Sequence, residues 1–158
     1  MIYTLTLNPA IDYYLRFDHF VEGGTNEPVQ ANVLAGGKGV NVAIVLNRLG
    51  VPVECRGFVG GFSGEFISQS IRRQGILCDF DRIGTDNRIN IKMTHQGLET
   101  EIPGISPRVG AQEWKHFLQR LKDRRSPGDT MVLSGSLPTG VPLDAYAQVI
   151  KECSTGVR

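Results

Sequence analysis

The apolar positions change period repeatedly along the chain, and each change predicts an element. A short apolar run at 2–7, halted by Asn8-Pro9, predicts a strand. Residues 13–21 and 28–34 predict two more, separated by the polar loop 22–27. At 39–49 the period becomes helical: Val42, Val45, Leu46 and Leu49 fall at i, i+3, i+4 and i+7 and predict a buried stripe. Gly50-Val51-Pro52 supplies a stop. A strand is expected at 53–59, then a helix at 63–74 with Ser63 as its cap, Glu65 in its first turn and Gly75 closing it. A short strand follows at 78–83. Residues 88–93 alternate strictly, His95-Gln96-Gly97 turns, and 98–102 returns, which predicts a hairpin. Helix 111–124 is expected to bury Trp114, Phe117, Leu118 and Leu121, again at helical spacing. Strand 130–133, a loop at 134–138 and helix 142–152 complete the pattern.

Strands and helices alternating at 53–83 and 111–152 predict a parallel sheet with helices packed on it. The strands at 13–34 and 88–103 do not fit that alternation; they come in antiparallel pairs and predict a small separate sheet. Thr155-Gly156-Val157-Arg158 reads as a lead-in to a further strand that the sequence does not contain. Doubly wound sheets commonly have five or six strands, so this one is expected to be cut near its middle.

Composition narrows the function classes. With 41% apolar and 21% charged residues, the 158-residue chain has the make-up of a soluble globular domain. A formal charge of +1 makes no case for a nucleic-acid or anionic-membrane partner. Cys55, Cys78 and Cys153 are odd in number and lack C-x-x-C spacing, so neither a disulfide framework nor a zinc site is expected, and reduced thiols are. The first residues lack a basic region and a following apolar core, and no stretch approaches 18 apolar residues; a cytoplasmic location is expected.

The chemistry concentrates at Gly36, Gly37, Lys38 and Gly39, just ahead of a helix. Glycines strip side chains from the turn, so backbone N–H groups can approach a ligand. The helix start adds donors and partial positive charge, and Asn41 adds an amide that both donates and accepts. Because Gly39 follows the lysine, this is not a Walker A loop, and it does not fit G-x-G-x-x-G either. By residue type alone, glycines that merely end a strand and a surface asparagine remain the lesser alternative. Asp12 reads either as a hydroxyl acceptor or as turn chemistry after Asn-Pro, and Ser136 either as a ligand contact or as part of a plain Ser-Gly-Ser turn.

Taken in order, Asn8-Pro9-Ala10-Ile11-Asp12, Gly-Gly-Lys-Gly-x-Asn at 36–41, Gly57-Phe58-Val59-Gly60-Gly61, Arg88-Ile89-Asn90-Ile91-Lys92 and Ser134-Gly135-Ser136-Leu137-Pro138 resemble the ribokinase-like (PfkB) sugar kinases. The likeness is greatest to the 1-phosphofructokinase branch, with the tagatose-6-phosphate kinases its near neighbour. It runs along the whole chain but covers only the N-terminal half of such a kinase. The family's second signature, a Gly-Ala-Gly-Asp loop with the base aspartate, is absent.

The resemblance implies the fold: a partial three-layer α/β/α sandwich lacking its C-terminal half. Residues 1–12, 35–87 and 104–158 would form the core, and 13–34 with 88–103 a β-sheet lid. It also implies phosphoryl transfer from ATP, with Mg, to fructose 1-phosphate, giving fructose 1,6-bisphosphate. Asp12, Gly36, Gly37, Lys38, Asn41, Arg88, Asn90 and Ser136 would bind the sugar phosphate, with Lys38 and Arg88 facing the phosphate. No catalytic residue and no metal ligand is expected within these residues, so the chain alone would be inactive; a homodimer through the lid is expected of the intact enzyme. A tagatose-6-phosphate kinase fragment, a non-catalytic sugar-phosphate binding module and an inert fragment are the alternatives. Lys92 reads as a solvated lysine. The basic run Lys115, Arg120, Lys122, Arg124 and Arg125 reads as a helix end complementing its dipole. His19, His95 and His116 are scattered and carry no predicted chemistry.

Overall fold

A computed structural model describes residues 1–124 and 126–154, excluding the side chain of Ser154. Its elements in chain order are β1 (Ile2–Thr6), β2 (Ala10–Phe17), β3 (Gln30–Gly36), α1 (Lys38–Arg48), β4 (Val53–Val59), α2 (Gly61–Arg73), β5 (Leu77–Arg82), β6 (Arg88–His95), β7 (Leu98–Ile102), α3 (Ala111–Asp123), β8 (Thr130–Leu133) and α4 (Ala145–Ser154). Two four-stranded sheets result. The first is entirely parallel in the order β5-β4-β1-β8. The second, β3-β2-β6-β7, consists of two antiparallel pairs joined by the parallel pairing of β2 with β6.

Period-two alternation gives the parallel sheet two apolar faces. On one, Leu5 and Phe58 meet Trp114, Phe117 and Leu121 of α3 and Val149 of α4. On the other, Val53, Cys55 and Val59 pack with Val40 and Ala43 of α1 and Ile67 and Ile71 of α2. Helices on both faces make the α/β/α layering expected from the sequence. Ile11 and Ala35 join the second cluster, so the second sheet is anchored on the α1/α2 side.

The α1 stripe is a correction. Val45 and Leu49 are 55% and 71% exposed, whereas Gly39, Val40 and Ala43 are buried. The cause lies at Gly39, where a Cβ would stand 2.4 Å from Thr6 Oγ1 and 2.9 Å from the Leu5 carbonyl oxygen. Backbone therefore packs directly on the end of β1, and the helix rolls onto its small-residue face.

Ser63 is not a cap. Helix α2 starts at Gly61, and Ser63 donates its hydroxyl proton to the Asn87 carbonyl at 2.9 Å. The N-terminal amides are met from a distance instead: Gly60 N–H donates to Asn87 Oδ1 (2.9 Å) and Phe62 N–H to Asp86 Oδ1 (3.1 Å). The second-sheet strands also differ in position from expectation. β2 starts three residues earlier, at Ala10, and β3 runs on to Gly36, because Ala10 pairs with both Gly36 and Arg88. Helix α4 starts at Ala145, after a turn in which its N–H donates to the Pro142 carbonyl. The hairpin turn is as predicted, with Gln96 (φ 49°) and Gly97 (φ 78°) both in the left-handed region that a two-residue loop of this hand requires.

The basic end of α3 has specific partners. Arg120 pairs with Asp79 (2.6 Å) and Asp81 (2.8 Å), Arg124 with Asp79, and Lys122 with Glu152 on α4. These side chains pin α3 to β5 and α4, which a dipole argument does not anticipate. Arg125 and the lead-in at 155–158 lie outside the described residues. Cys55 and Cys78 are unbridged. No helix among the described residues is long and apolar enough to cross a membrane.

Two outcomes are expected. Phe117→Ala empties a site at the middle of the first core cluster and should lower stability by about 3–5 kcal/mol in urea denaturation. Burial pushes the Cys55 thiol up to about 11, so iodoacetamide at pH 8 should leave Cys55 unmodified in the native chain and label it once urea unfolds it.

Candidate functional site

The first sheet's strands are parallel, so their C-terminal ends lie together, and the loops leaving β1 and β8 open on one side. Beside them the chain turns at Asn8-Pro9 into β2 and arrives from β3 into α1. A cleft of about 420 Å³ occupies this junction. Thr6 and Asn8 form its floor, Lys38 and Asn41 of α1 one wall, Asp12 and Arg88 another. Asn90, Lys92 and Glu101 extend it along the second sheet, and Gly135 and Ser136 close the β8 side. A second recess of about 350 Å³ lies farther along the same sheet face, over Tyr14, Asn32 and Leu34. The 420 Å³ cleft is the better candidate, because it alone of the two joins cations to buried polar atoms without partners.

The glycine turn is shaped by what lies under it. Gly36 sits over Asp12: a Cβ there would come within 2.4 Å of Asp12 Oδ2. Gly37, with φ 124°, is the N-cap of α1, and no side chain caps that end. The helix start is thus left facing the cleft with Lys38 as its first residue.

Asp12 is 8% exposed and Asn90 6%. They are register partners across β2 and β6, and Asn90 Nδ2 donates to Asp12 Oδ1 at 2.7 Å. Asn90 Oδ1 in turn accepts the Gly104 N–H at 3.1 Å, which fixes the amide orientation. Asp12 Oδ2 lies 3.6 Å from Lys92 Nζ. Asn8 Nδ2 donates to Ser106 Oγ (2.8 Å) and Ser136 Oγ (3.2 Å), and Arg88 donates an Nη proton to the Asn8 carbonyl at 3.3 Å.

Against this bonded frame, Thr6 Oγ1, Asn8 Oδ1 and Arg88 Nε are buried and have no hydrogen-bond partner. Leaving such groups unmet costs about 1–3 kcal/mol each. All three residues line the cleft, so a hydroxyl-rich ligand or water would meet them there.

Of the predicted residues, Asp12, Gly37, Lys38, Asn41, Arg88, Asn90 and Ser136 line this one cleft, and Gly36 packs behind Asp12. Lys92 is a correction: its side chain is only 21% exposed and lines the cleft. Burial alone would lower its pKa. The hydrogen bond to Tyr14 and the negative charges of Asp12 and Glu101 outweigh that and raise it, so the ammonium form is held. Its place facing Tyr14 and Glu101 follows from strand register, which pattern reading of one strand cannot supply. Thr6, Asn8 and Glu101 also line the cleft without having been singled out; the signal for the first two is their position at and just after the C-terminal end of a parallel strand. His116 lies 4.0 Å from Asp81, outside the cleft, and no group of three or more His, Cys, Asp or Glu among the described residues could hold a metal ion.

The chain is 42% identical over 158 residues to a 1-phosphofructokinase of Borreliella burgdorferi, covering all of this chain and 51% of that one. A Staphylococcus aureus structure provisionally assigned as a phosphofructokinase superposes with a TM-score of 0.91 at 38% identity, over 100% of this chain and 51% of that one. A ribokinase from Thermotoga maritima shares the fold at a TM-score of 0.54 and 23% identity, covering 65% of this chain and 35% of that one. The chain thus spans about half the length of the phosphofructokinase relatives it matches. Residues 2–157 match the pfkB family of carbohydrate kinases, and the chain belongs to that family.

Proposed function

We propose that the cleft is the acceptor site of a sugar-phosphate kinase, binding a phosphorylated ketose. In the full-length cytoplasmic protein this would be fructose 1-phosphate, converted by ATP to fructose 1,6-bisphosphate. The observation that carries the reading is the meeting, in one cleft, of Lys38 and Arg88 with three buried, unpartnered polar atoms. Lys38 at the uncapped start of α1 and the Arg88 guanidinium suit a phosphate dianion. Asp12 Oδ2, Asn41 and Ser136 suit sugar hydroxyls, and a carboxylate strengthens such bonds.

Transfer also needs a group to take the hydroxyl proton and groups to neutralise charge on the donor phosphates. Asp12 already accepts from Asn90 and pairs with Lys92, and Glu101 pairs with Lys92, so neither carboxylate in the cleft stands ready as a base. The sequence contains no Gly-Ala-Gly-Asp loop. We place the base, and the main binding groups for ATP and Mg, outside these 158 residues, and derive no step through them. These residues bind and orient the acceptor; residues 13–34 and 88–103 would act as a lid excluding water, and the lid would make the contact of a homodimer. A non-catalytic sugar-phosphate binding module, which would need the same cleft lining and no base, is the second reading.

Calorimetric titration of the 158-residue chain tests this. Fructose 1-phosphate should bind, and Arg88→Ala should weaken it about tenfold or more, as loss of a charged hydrogen bond implies. Fructose 6-phosphate and tagatose 6-phosphate serve as competitors that rank the acceptor. No binding of any ketose phosphate contradicts the reading, and phosphoryl transfer by this chain on adding ATP and Mg contradicts the placement of the base. Separately, Gly36→Ala should abolish binding while leaving the far-ultraviolet circular dichroism unchanged, because the added methyl displaces the Asp12 carboxylate.

A further inference from the structure

The cleft holds an electrostatic contradiction. Asp12 is suited to sugar hydroxyls, but its carboxylate, and that of Glu101, would repel a phosphate dianion entering the same 420 Å³. Lys38 and Arg88 alone would only cancel these two charges. Lys92 is the third cation of the lining. Its ammonium lies 3.6 Å from Asp12 Oδ2 and 3.8 Å from Glu101 Oε1, between the two carboxylates. It also donates to the Tyr14 hydroxyl at 3.4 Å and stands 5.1 Å from the centre of that ring. Strand register builds the arrangement: Lys92 of β6 faces Tyr14 of β2 on one side and Glu101 of β7 on the other.

We propose that Lys92 is a specificity-determining residue, whose charge makes this cleft select a phosphorylated sugar over the same sugar without phosphate. The assignment rests on the acceptor-site reading given above. An uncharged ketose meets the hydroxyl acceptors whether or not the carboxylates are offset. A ketose phosphate adds two negative charges and responds to the balance of the whole lining, which is three cations against two carboxylates with Lys92 and two against two without it. Lys92 thus lets Asp12 remain an anion that grips hydroxyls without excluding the phosphate. The low-dielectric walls of a cleft strengthen the effect relative to water.

The test compares fructose 1-phosphate, inorganic phosphate and fructose as ligands of the 158-residue chain. Lys92→Met should weaken fructose 1-phosphate and inorganic phosphate about tenfold or more, while fructose affinity changes less than about twofold. Lys92→Arg should restore discrimination, and the difference between wild type and Lys92→Met should shrink as salt rises. Glu101→Gln removes the more exposed of the two carboxylates and shifts the balance the other way; it should tighten fructose 1-phosphate severalfold, and by more than it alters fructose. This variant keeps the proposal testable even if Lys92→Met fails to fold. Equal losses for phosphorylated and free sugar in Lys92→Met would make Lys92 merely structural and overturn the assignment, as would unchanged or weaker phosphate binding in Glu101→Gln. If wild type binds the ketose phosphate and Lys92→Met matches it, only the Lys92 assignment falls. If wild type binds none, the acceptor-site reading falls with it.

Discussion

The hydrogen bond from Asn90 to Asp12, 2.7 Å long and buried between β2 and β6, is the constraint on which the site depends. It fixes a carboxylate inside the protein, where an unmet partner would cost about 1–3 kcal/mol or more. It also dictates its neighbours. Asn90 must orient its amide, which the Gly104 N–H ensures. The residue above Asp12 must be glycine, because any Cβ at position 36 would strike Oδ2. That glycine ends β3 and delivers the chain into α1, so the same carboxylate that faces the cleft also shapes the helix start that flanks it.

The two sheets divide the work. The parallel sheet, clamped between helix pairs, supplies rigid strand ends at Thr6 and Leu133 from which the floor and the β8 side of the cleft project. The second sheet supplies charge. Its strands carry Asp12, Arg88, Asn90, Lys92 and Glu101, so cross-strand register decides which charge meets which. Of the four buried side-chain atoms without partners among the described residues, Thr6 Oγ1, Asn8 Oδ1 and Arg88 Nε collect where the two sheets meet, and the fourth, Ser134 Oγ, stands just after β8. Native proteins keep few such groups, and their clustering at a ligand-sized cleft in a member of a carbohydrate kinase family has a direct physical meaning.

Local pattern made most of the architecture legible: the amphipathic stripe of α3, the alternation of β6 and the glycine stop after α2 all stand where their periods and turn residues put them. What it missed was set by partners distant in sequence. The α1 stripe failed because Gly39 lets the backbone touch β1, turning Val45 and Leu49 outward. Ser63 failed as a cap because Asp86 and Asn87 occupy that role from a loop more than twenty residues away. In the site, Asp12, Lys38 and Arg88 stood out through the glycine turn and the motifs around them. Lys92 did not, because a lysine on an alternating strand looks solvated until Tyr14, Asp12 and Glu101 are seen around it.

The most direct test is a crystal structure of this chain soaked with fructose 1-phosphate. The phosphate should lie within hydrogen-bond reach of Lys38 Nζ and the Arg88 guanidinium, with a ring hydroxyl on Asp12 Oδ2 and Thr6 Oγ1 or Asn8 Oδ1 newly partnered. A sugar seated instead in the recess over Tyr14, Asn32 and Leu34, with the Asp12 carboxylate untouched, would contradict it.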